Sequence, residues 1–196
     1  MKSVTIIETN IANIASVRAA FERFGLNVLQ SSDPKIILDS DYVVLPGVGT
    51  FGAGIEALNS AKLTDIIRQR ISDNKPTLAI CLGMQLLFET CEESPGVKGL
   101  GIFNGSIKKL NTSLPLPHLS WQPVKADQGF SESPRGWAYF AHSYAVTDAP
   151  TDSEVLTANY GQSFVAAFRK GKLLACQFHP ELSGQFGKTL LQGWLS

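Results

Sequence analysis

The sequence has no excess of charge of either sign, since its 17 Lys and Arg residues balance its 17 Asp and Glu residues. Basic clusters are also absent, which argues against nucleic acid or an anionic membrane surface as the main partner. No apolar run approaches the roughly 20 residues that a membrane span needs. Because Glu8 interrupts the N-terminus too early for a signal peptide, we expect a cytoplasmic protein.

Cysteine is scarce as well, because the 196 residues include only three, at positions 81, 91 and 176. An odd number at wide spacings argues for reduced thiols and against a disulfide framework. The sequence also lacks internal repeats, low-complexity tracts and any stretch with the composition of a linker. A chain of this length buries about 70% of the surface that its unfolded form exposes. We therefore expect a single domain over residues 1–196.

Apolar strands alternate with amphipathic helices in the first half of the chain. Short apolar stretches predict strands at 4–7, 26–29, 41–45 and 77–80. Apolar residues at helical spacing predict helices at 14–24 and 63–71, and a further helix is expected from Met84. This order is typical of crossover connections in a mostly parallel sheet, where ligands bind beyond the carboxyl ends of the strands.

The second half of the chain has short apolar stretches broken by Gly, Pro and Asn, which predict antiparallel strands and hairpins. We expect these strands at 102–110, 122–125, 137–141, 154–159, 164–168 and 173–178. A terminal amphipathic helix is expected to cover the sheet with Phe186, Leu190, Leu191 and Trp194. The predicted fold class is α/β, with a central mostly parallel sheet and an antiparallel extension.

Cys81 is the first candidate catalytic residue, because it lies on the turn between the strand 77–80 and the helix expected after it. A sharp strand-to-helix turn presents a side chain above the sheet edge and leaves the next N–H, that of Leu82, able to face an anion. The helix N-terminus also favours the thiolate. The alternative is that Cys81 packs as a small hydrophobic residue, as buried cysteines often do.

A glycine-rich loop, Pro46-Gly47-Val48-Gly49, follows the third predicted strand and reaches the same edge of the sheet. Its glycines would let backbone N–H groups approach a developing oxyanion. The alternative is an ordinary strand-to-helix turn. The loop has no lysine of the kind that phosphate loops carry, which argues against nucleotide binding.

Near the C-terminus, Phe178-His179-Pro180-Glu181 offers a general base. Proline after a histidine forces extended backbone, so we expect His179 and Glu181 at a strand end with their side chains on the same side. A carboxylate there can accept the imidazole N–H and leave the other ring nitrogen for a nucleophile. Cys176 and His179 lack further ligands at suitable spacing, so no metal site is predicted.

Two segments, CLGMQLLF at 81–88 and FHPE at 178–181, resemble the motifs of the class I (triad) glutamine amidotransferases. Other segments resemble one branch of that family, the glutaminase subunits of histidine biosynthesis, and the resemblance runs over essentially the whole chain. These segments are LPGVG at 45–49, PHLSW at 117–121, FAHSY at 140–144 and NYG at 159–161. The resemblance implies a three-layer, flavodoxin-like fold.

The resemblance also implies a role for each candidate residue. Cys81 would attack the side-chain amide of glutamine, His179 would move the protons, and Glu181 would orient His179. The oxyanion would meet backbone N–H groups from Gly47, Val48, Gly49 and Leu82. The implied substrate-binding residues are Gln85, Glu93, Tyr139, His142 and Ser143. Neither a cofactor nor a metal is implied.

A partner is implied as well, namely a (β/α)8 barrel cyclase subunit that forms a heterodimer with the glutaminase and consumes its ammonia. The interface candidates expected by this resemblance are the segment 117–121 with Trp121, the turn 10–13 with Asn13, and Tyr139. The sequence departs from the family pattern at Ala79, Ser120, Gln122 and Leu182. Ser120 and Gln122 stand where glycine and asparagine are common, and Leu182 stands where a basic residue often reaches the partner. None of these departures involves the triad.

Three other functions stay open at this point. The first is another triad amidotransferase, such as the glutaminase of pyridoxal phosphate synthesis, which capture of its partner would reveal. The second is a stand-alone thiol peptidase or γ-glutamyl hydrolase, which would hydrolyse its substrate without a partner. The third is a catalytically silent binding subunit, against which the presence of Cys81, His179 and Glu181 argues.

Overall fold

The computed structural model describes residues 3–8, 14–128, 130 and 136–196. The strands are β1 (Ser3–Ile7), β2 (Asn27–Ser31), β3 (Tyr42–Leu45), β4 (Thr77–Ile80), β5 (Phe88–Cys91), β6 (Phe103–Lys109), β7 (His118–Gln128), β8 (Gly136–His142), β9 (Tyr144–Ala145), β10 (Glu154–Asn159), β11 (Ser163–Lys170) and β12 (Leu173–Cys176). The helices are α1 (Ile14–Glu22), α2 (Pro34–Asp39), α3 (Phe51–Ser60), α4 (Thr64–Ser72), α5 (Leu82–Gln85) and α6 (Gly184–Leu195), with a 3-10 turn at Pro180–Leu182. Within the described ranges, no helix has both the length and the apolar character needed to span a membrane.

Nine strands form the main sheet in the order β2-β1-β3-β4-β12-β11-β10-β7-β8. The first five of these pair in parallel. The remaining four are added antiparallel. The predicted parallel core with an antiparallel extension is therefore confirmed, but β12, which was expected in the extension, also pairs in parallel with β4. A smaller sheet of β5, β6 and β9 lies beside it.

The central strands are buried on both faces, and their side chains alternate between two hydrophobic clusters. In β3, Val43 and Leu45 belong to one cluster, whereas Tyr42 and Val44 belong to the other. Helices α2, α3 and α4 contribute to the first cluster, and α1 and α6 contribute to the second. Because a strand alternates its side chains with a period of two, this arrangement produces three layers, with helices on both sides of the sheet.

The predicted terminal helix is confirmed as α6. Its apolar residues Phe186, Leu190, Leu191 and Trp194 are all buried. The indole ring of Trp194 meets the ring of Tyr42 edge-on, with 5.2 Å between the centroids. The helix therefore covers one face of the sheet, as its apolar stripe indicates.

The prediction of a helix running on from Met84 is wrong. Helix α5 is a single turn, and the chain returns to a strand, β5, only two residues after it. The N–H of Leu100 donates to the carbonyl of Leu86 at 2.8 Å, and the N–H of Ile102 donates to the carbonyl of Leu87 at 2.9 Å. These tertiary hydrogen bonds replace those that would continue the helix. Cys91 therefore lies in a strand.

The apolar pattern does not predict α2 or α3, although both begin at recognisable capping residues. Asp33 caps α2 by accepting the N–H groups of Lys35 and Ile36, and Pro34 occupies its first position. Thr50 caps α3 by accepting the N–H of Ala53 at 3.4 Å. Such caps stabilise helix N-termini. A prediction based on apolar spacing alone does not detect these caps. Strand β9 is likewise unpredicted, and β7 begins at His118 rather than at Gln122.

Candidate active site

Three neighbouring parallel strands, β3, β4 and β12, end at the same edge of the sheet. The glycine loop follows β3, Cys81 follows β4, and the segment leading to His179 follows β12. The glycine loop and Cys81 were predicted to lie at this edge. The parallel pairing of β12 with β4 adds the segment of His179, which was expected only at a strand end.

Cys81 occupies a sharp turn between β4 and α5, with φ of +53° and ψ of −109°. Its own N–H donates to the carbonyl of Cys176 at 2.7 Å, which ties the turn to the neighbouring strand. A Cβ at Gly83 would lie 2.1 Å from the carbonyl oxygen of Leu45, so only glycine fits there. The predicted turn exists, and close packing on β3 holds it in an unusual conformation.

A cavity of about 290 Å³ opens above Cys81. This volume lies at the small end of ligand pockets, which suits a substrate of amino-acid size. The cavity is lined by Val48, Gly49, Cys81, Leu82, Gln85, Glu93, Pro117, Ala141, His142, Ser143, Tyr144 and His179.

His179 and Glu181 form a close pair beside this cavity. The Nδ1 of His179 and the Oε1 of Glu181 are 2.8 Å apart, and both side chains are at least nine-tenths buried. The backbone of His179 is extended, as the following proline requires, but Glu181 lies in the 3-10 turn. The contact therefore arises from the turn and not from the alternation of an extended strand, which corrects that part of the prediction.

The environment of His179 raises its pKa to about 10. Burial lowers the pKa of this imidazole. Hydrogen bonds to Cys81 and Glu181, and the negative charges of both groups, outweigh that effect. Because the imidazolium form is favoured, His179 is suited to share a proton with the thiol of Cys81.

Several predicted substrate residues line the cavity together with Cys81, namely Gln85, Glu93, His142 and Ser143. Glu93 is fixed by its Oε2, which accepts the N–H of Phe51 at the start of α3 at 2.7 Å. The carboxylate therefore sits where a helix N-terminus stabilises negative charge.

His142 is buried and is paired with a second buried histidine, His118. The Nε2 of His142 lies 3.3 Å from the Nδ1 of His118, and the Nδ1 of His142 lies 3.0 Å from the carbonyl oxygen of Tyr144. Burial lowers the pKa of His118 to about 4 and that of His142 to about 3, so both rings are neutral. The ring of His118 stacks on Tyr160 at a centroid distance of 3.9 Å.

Other predicted residues lie outside the cavity lining. A Cβ at Gly47 would lie 2.9 Å from the Cβ of Leu82, so Gly47 packs behind the cavity. Tyr139 pairs with Trp121 across β7 and β8, with ring centroids 6.0 Å apart. The side chain of Trp121 is 46% exposed. Asn13 falls outside the described residues.

The sequence patterns do not single out Gln177, although it contacts Cys81. Gln177 is fully buried, and its Nε2 lies 3.7 Å from the Sγ of Cys81. The carbonyl oxygen of Ala141 lies 3.8 Å from the same sulfur. A buried amide between apolar residues, two positions before His179, is the signal that could have identified Gln177.

Neither the cavity on the far side of Glu181 nor the two other thiols among the described residues resemble a second reaction centre. A cavity of about 310 Å³ lies on the other side of Glu181, beside Arg23 and Lys188, and no cysteine lines it. Burial raises the pKa of Cys91 to about 11 and also raises that of Cys176. The described ranges contain no group of three His, Cys, Asp or Glu side chains placed to hold a metal.

Comparison with known proteins shows a family match over nearly the whole chain. The model of the family "Glutamine amidotransferase class-I" matches residues 6–195. The chain is 40% identical to "Imidazole glycerol phosphate synthase subunit HisH" of Yersinia pseudotuberculosis, covering 98% of both chains. It is 37% identical to the protein of the same name from Symbiobacterium thermophilum, covering 99% of this chain and 93% of that one.

A plant relative and two solved structures extend the comparison. The chain is 33% identical to "Imidazole glycerol phosphate synthase hisHF, chloroplastic" of Arabidopsis thaliana, covering 98% of this chain and 34% of the plant protein. A structure described as "Crystal structure of glutamine amidotransferase" superposes with a TM-score of 0.79 at 18% identity, over 98% of this chain and 97% of that one. "Structure of PurLQS from Thermotoga maritima" gives a TM-score of 0.73 at 18% identity, over 100% of this chain and 98% of that one.

Proposed function

The chain belongs to the class I glutamine amidotransferase family, and from this premise we propose how it acts as the glutaminase subunit of imidazole glycerol phosphate synthase. The substrate is L-glutamine, and the partner is the synthase subunit that uses the ammonia. The observation that carries the chemistry is the pair of His179 and Glu181, 2.8 Å apart, beside a cysteine on a strained strand-to-helix turn.

In the proposed first step, the thiolate of Cys81 attacks the side-chain amide carbon of glutamine. The carbon becomes tetrahedral, and its oxygen carries the negative charge. His179 has taken the thiol proton and gives it to the departing nitrogen, so that ammonia leaves and a thioester forms. Glu181 holds the imidazole in place through its Nδ1, which leaves the other ring nitrogen to serve the sulfur and the substrate.

In the proposed second step, water hydrolyses the thioester. His179 takes a proton from the water as its oxygen attacks the thioester carbonyl. The bond from carbon to sulfur then breaks, the sulfur of Cys81 takes the proton back from His179, and glutamate is the product. The oxyanion of both steps would meet the N–H of Leu82, which begins α5 and has no acceptor within its helix. A second donor would come from the 47–49 loop. Each such donor typically contributes on the order of 3 kcal/mol to the transition state.

The amino-acid end of glutamine is proposed to bind at the opposite wall of the cavity. Glu93 offers a carboxylate for the substrate ammonium, and it is held at the start of α3. His142 and Ser143 line the same cavity. Tyr139 does not line it, so of the two places expected for Tyr139 we propose the partner interface beside Trp121.

The β7–β8 pair supplies the proposed partner surface. Large apolar side chains are exposed on this pair, with 59% exposure for Leu119, 46% for Trp121 and 59% for Trp137. Exposed apolar patches of this kind mark interaction sites, and tryptophan is enriched among the residues that dominate binding energy. The plant relative named hisHF is matched by this chain over only 34% of its length, so most of that protein lies outside the matched region. This supports a second subunit as the partner.

We propose that this partner is a (β/α)8 cyclase and that the two subunits form a heterodimer. Ammonia released into water becomes mostly ammonium, which is no longer nucleophilic. An interface next to the glutaminase cavity would let ammonia pass directly to the cyclase. Strand β8 and the residues after it connect the proposed partner surface with the cavity. They carry Trp137 and Tyr139 on the surface, and His142 and Ser143 in the cavity lining.

The test is glutamate release from glutamine by this chain alone, by the chain with a cyclase subunit, and by the pair with the cyclase nucleotide. Cys81→Ala serves as the blank. We expect release to increase when partner and nucleotide are both present. A rate equal to the blank in every mixture would overturn the proposed glutaminase, and full activity of the chain alone would favour the stand-alone hydrolase.

A further inference from the structure

A chain of hydrogen bonds with a fixed direction runs from β7 to the cavity. The carbonyl oxygen of Tyr144 can only accept, so the Nδ1 of His142, 3.0 Å away, must carry a proton. In a neutral ring the Nε2 of His142 is then an acceptor, and the Nδ1 of His118 donates to it at 3.3 Å. The Nε2 of His118 in turn accepts the hydroxyl proton of Ser120 at 3.0 Å.

The same carbonyl orients two glutamine amides. The amide nitrogen of Gln85 donates one hydrogen to the carbonyl of Tyr144 at 2.9 Å and the other to the Oε1 of Gln177 at 3.0 Å. Because a backbone carbonyl cannot donate, the amide of Gln85 cannot be reversed. The oxygen of Gln177 must then face Gln85, and its nitrogen must face the sulfur of Cys81, 3.7 Å away.

We propose that Gln177 is a hydrogen-bond donor to the sulfur of Cys81, and that the network from Ser120 through Tyr144 holds its amide in that orientation. Gln177 is fully buried, so no water competes for this N–H. A hydrogen bond to a charged acceptor is roughly twice as strong as one to a neutral acceptor. The donor therefore stabilises the thiolate more than the thiol, while Gln85, His142, His118 and Ser120 act as positioning residues.

The other titratable groups around the sulfur are His179, with Glu181 behind it, and His142, Glu93 and Tyr144 across the cavity. His179 supplies a proton acceptor and, once protonated, a positive charge. The amide of Gln177 has no titratable group, so its effect is the same at every pH. Loss of the donor is therefore expected to displace the pH profile of thiol reactivity to higher pH and to leave the shape of the profile unchanged.

Alkylation of Cys81 by iodoacetamide, followed by mass spectrometry, tests the donor without glutamine or partner. Gln177→Met keeps the length of the side chain and removes the donor. Gln177→Glu keeps the shape and replaces the N–H with oxygen. We expect alkylation at neutral pH to slow about tenfold in Gln177→Met and further in Gln177→Glu, with the profile displaced by about one pH unit. Gln192→Glu, an exposed change on α6, is the matched control.

Thermal unfolding of each variant separates this role from a structural one. A purely structural Gln177 would lower the melting temperature and leave the alkylation of Cys81 in the folded protein unchanged, and that result would overturn the proposal. The role of Gln177 in glutamine turnover rests on the proposed glutaminase function, whereas its hydrogen bond to Cys81 does not. A wild-type chain that is alkylated rapidly but never hydrolyses glutamine would count against the function and not against the donor.

The outer end of the network has its own test. Ser120→Ala removes the hydroxyl that donates to the Nε2 of His118, and Ser163→Ala, an exposed change on β11, is its control. We expect ¹⁵N NMR of the histidine rings to show both His118 and His142 protonated at Nδ1 in the wild type. In Ser120→Ala, His118 should keep its proton at Nδ1, because the acceptor Nε2 of His142, and not Ser120, sets that tautomer. A wild-type spectrum with either ring protonated at Nε2 would overturn the network.

Discussion

Cys81 illustrates how a single residue depends on its surroundings for an unfavourable conformation. Its φ of +53° is rare for a residue with a Cβ, and such conformations cost on the order of 1–3 kcal/mol. The hydrogen bond from its N–H to Cys176 and the packing of Gly83 on Leu45 hold it there. The resulting turn lifts the sulfur out of the sheet, toward the cavity and His179.

Glu181→Gln is the sharpest change at the residue scale. The amide keeps the shape of the side chain but loses the charge that, with the hydrogen bond, raises the pKa of His179. We expect glutamine hydrolysis to fall at least about 100-fold, since an amide can hold the wrong tautomer of the imidazole. The pKa of His179, measured by NMR, should fall toward its ordinary value of 6.5. Glu22→Gln, in an exposed ion pair with Arg18, should change neither quantity.

At the scale of the elements, the β4–α5 turn is held by backbone packing more than by its side chains. A Cβ at Gly83 would lie 2.1 Å from the carbonyl oxygen of Leu45. Since that oxygen belongs to a central strand, it cannot move aside as the end of a side chain could. The geometry of the nucleophile therefore depends on the fit of one turn against the neighbouring strand.

Gly83→Ala should consequently destabilise the fold by about 2 kcal/mol or more and abolish glutamine hydrolysis. Gly193→Ala is the control, because nothing lies within 4 Å of a Cβ at that position in α6. The control should gain up to about 1 kcal/mol from the better helix propensity of alanine. Urea unfolding measures both changes, and a Gly83→Ala protein as stable as the wild type would contradict the packing argument.

Arg70 connects three elements from inside the fold. Although it is fully buried, its guanidinium donates to the carbonyls of Ile37 at 2.8 Å, Ser40 at 2.9 Å and Pro76 at 2.9 Å. Burial lowers its pKa to about 10, so it remains charged at neutral pH. The side chain fixes the end of α2 and the start of β4 against α4.

Arg70→Met should destabilise the protein by about 3–5 kcal/mol, since it leaves several buried carbonyls without donors. Chemical denaturation provides the measurement. Arg23→Lys, an exposed change near the end of α1, should alter stability by less than about 0.5 kcal/mol. If both variants unfold at the same denaturant concentration as the wild type, the connecting role of Arg70 is wrong.

For the whole molecule, the buried histidines predict how stability depends on pH. His118 and His142 have pKa values of about 4 and about 3, below their ordinary value of 6.5. As pH falls, the unfolded chain therefore takes up protons before the folded protein does. The stability that the neutral rings contribute is present above pH 6.5 and is lost below it. His179 behaves oppositely, because its raised pKa gives stability that is lost between pH 6.5 and about 10.

We therefore expect maximal stability near pH 6.5, measured as the free energy of unfolding in urea across a pH series. On the acid side, each buried histidine contributes a slope of up to about 1.4 kcal/mol per pH unit. His142→Asn, whose amide can still donate to the carbonyl of Tyr144 but cannot titrate, should have a shallower acid slope. An unchanged slope in this variant would show that His142 is not the group responsible.

Much of the fold and of the candidate site follows from local sequence patterns. The strand–turn–helix around Cys81, the parallel order of the first strands and the apolar stripe of α6 each depend on residues that are close in sequence. The pairing of His179 with Glu181 also depends on only three consecutive residues. Such features are predictable because backbone preferences and side-chain periodicity act over a few residues.

By itself, then, the sequence determined the α/β class, the turn that bears Cys81 and the meeting of that turn with the glycine loop at one sheet edge. Only the tertiary structure decided the length of α5, the position of Tyr139 outside the cavity, and the donor that Gln177 directs at Cys81 across 96 residues of sequence. The network depends on the register that sets His118 opposite His142. A slip of one residue in that register would turn each side chain to the other face, and no local pattern specifies it.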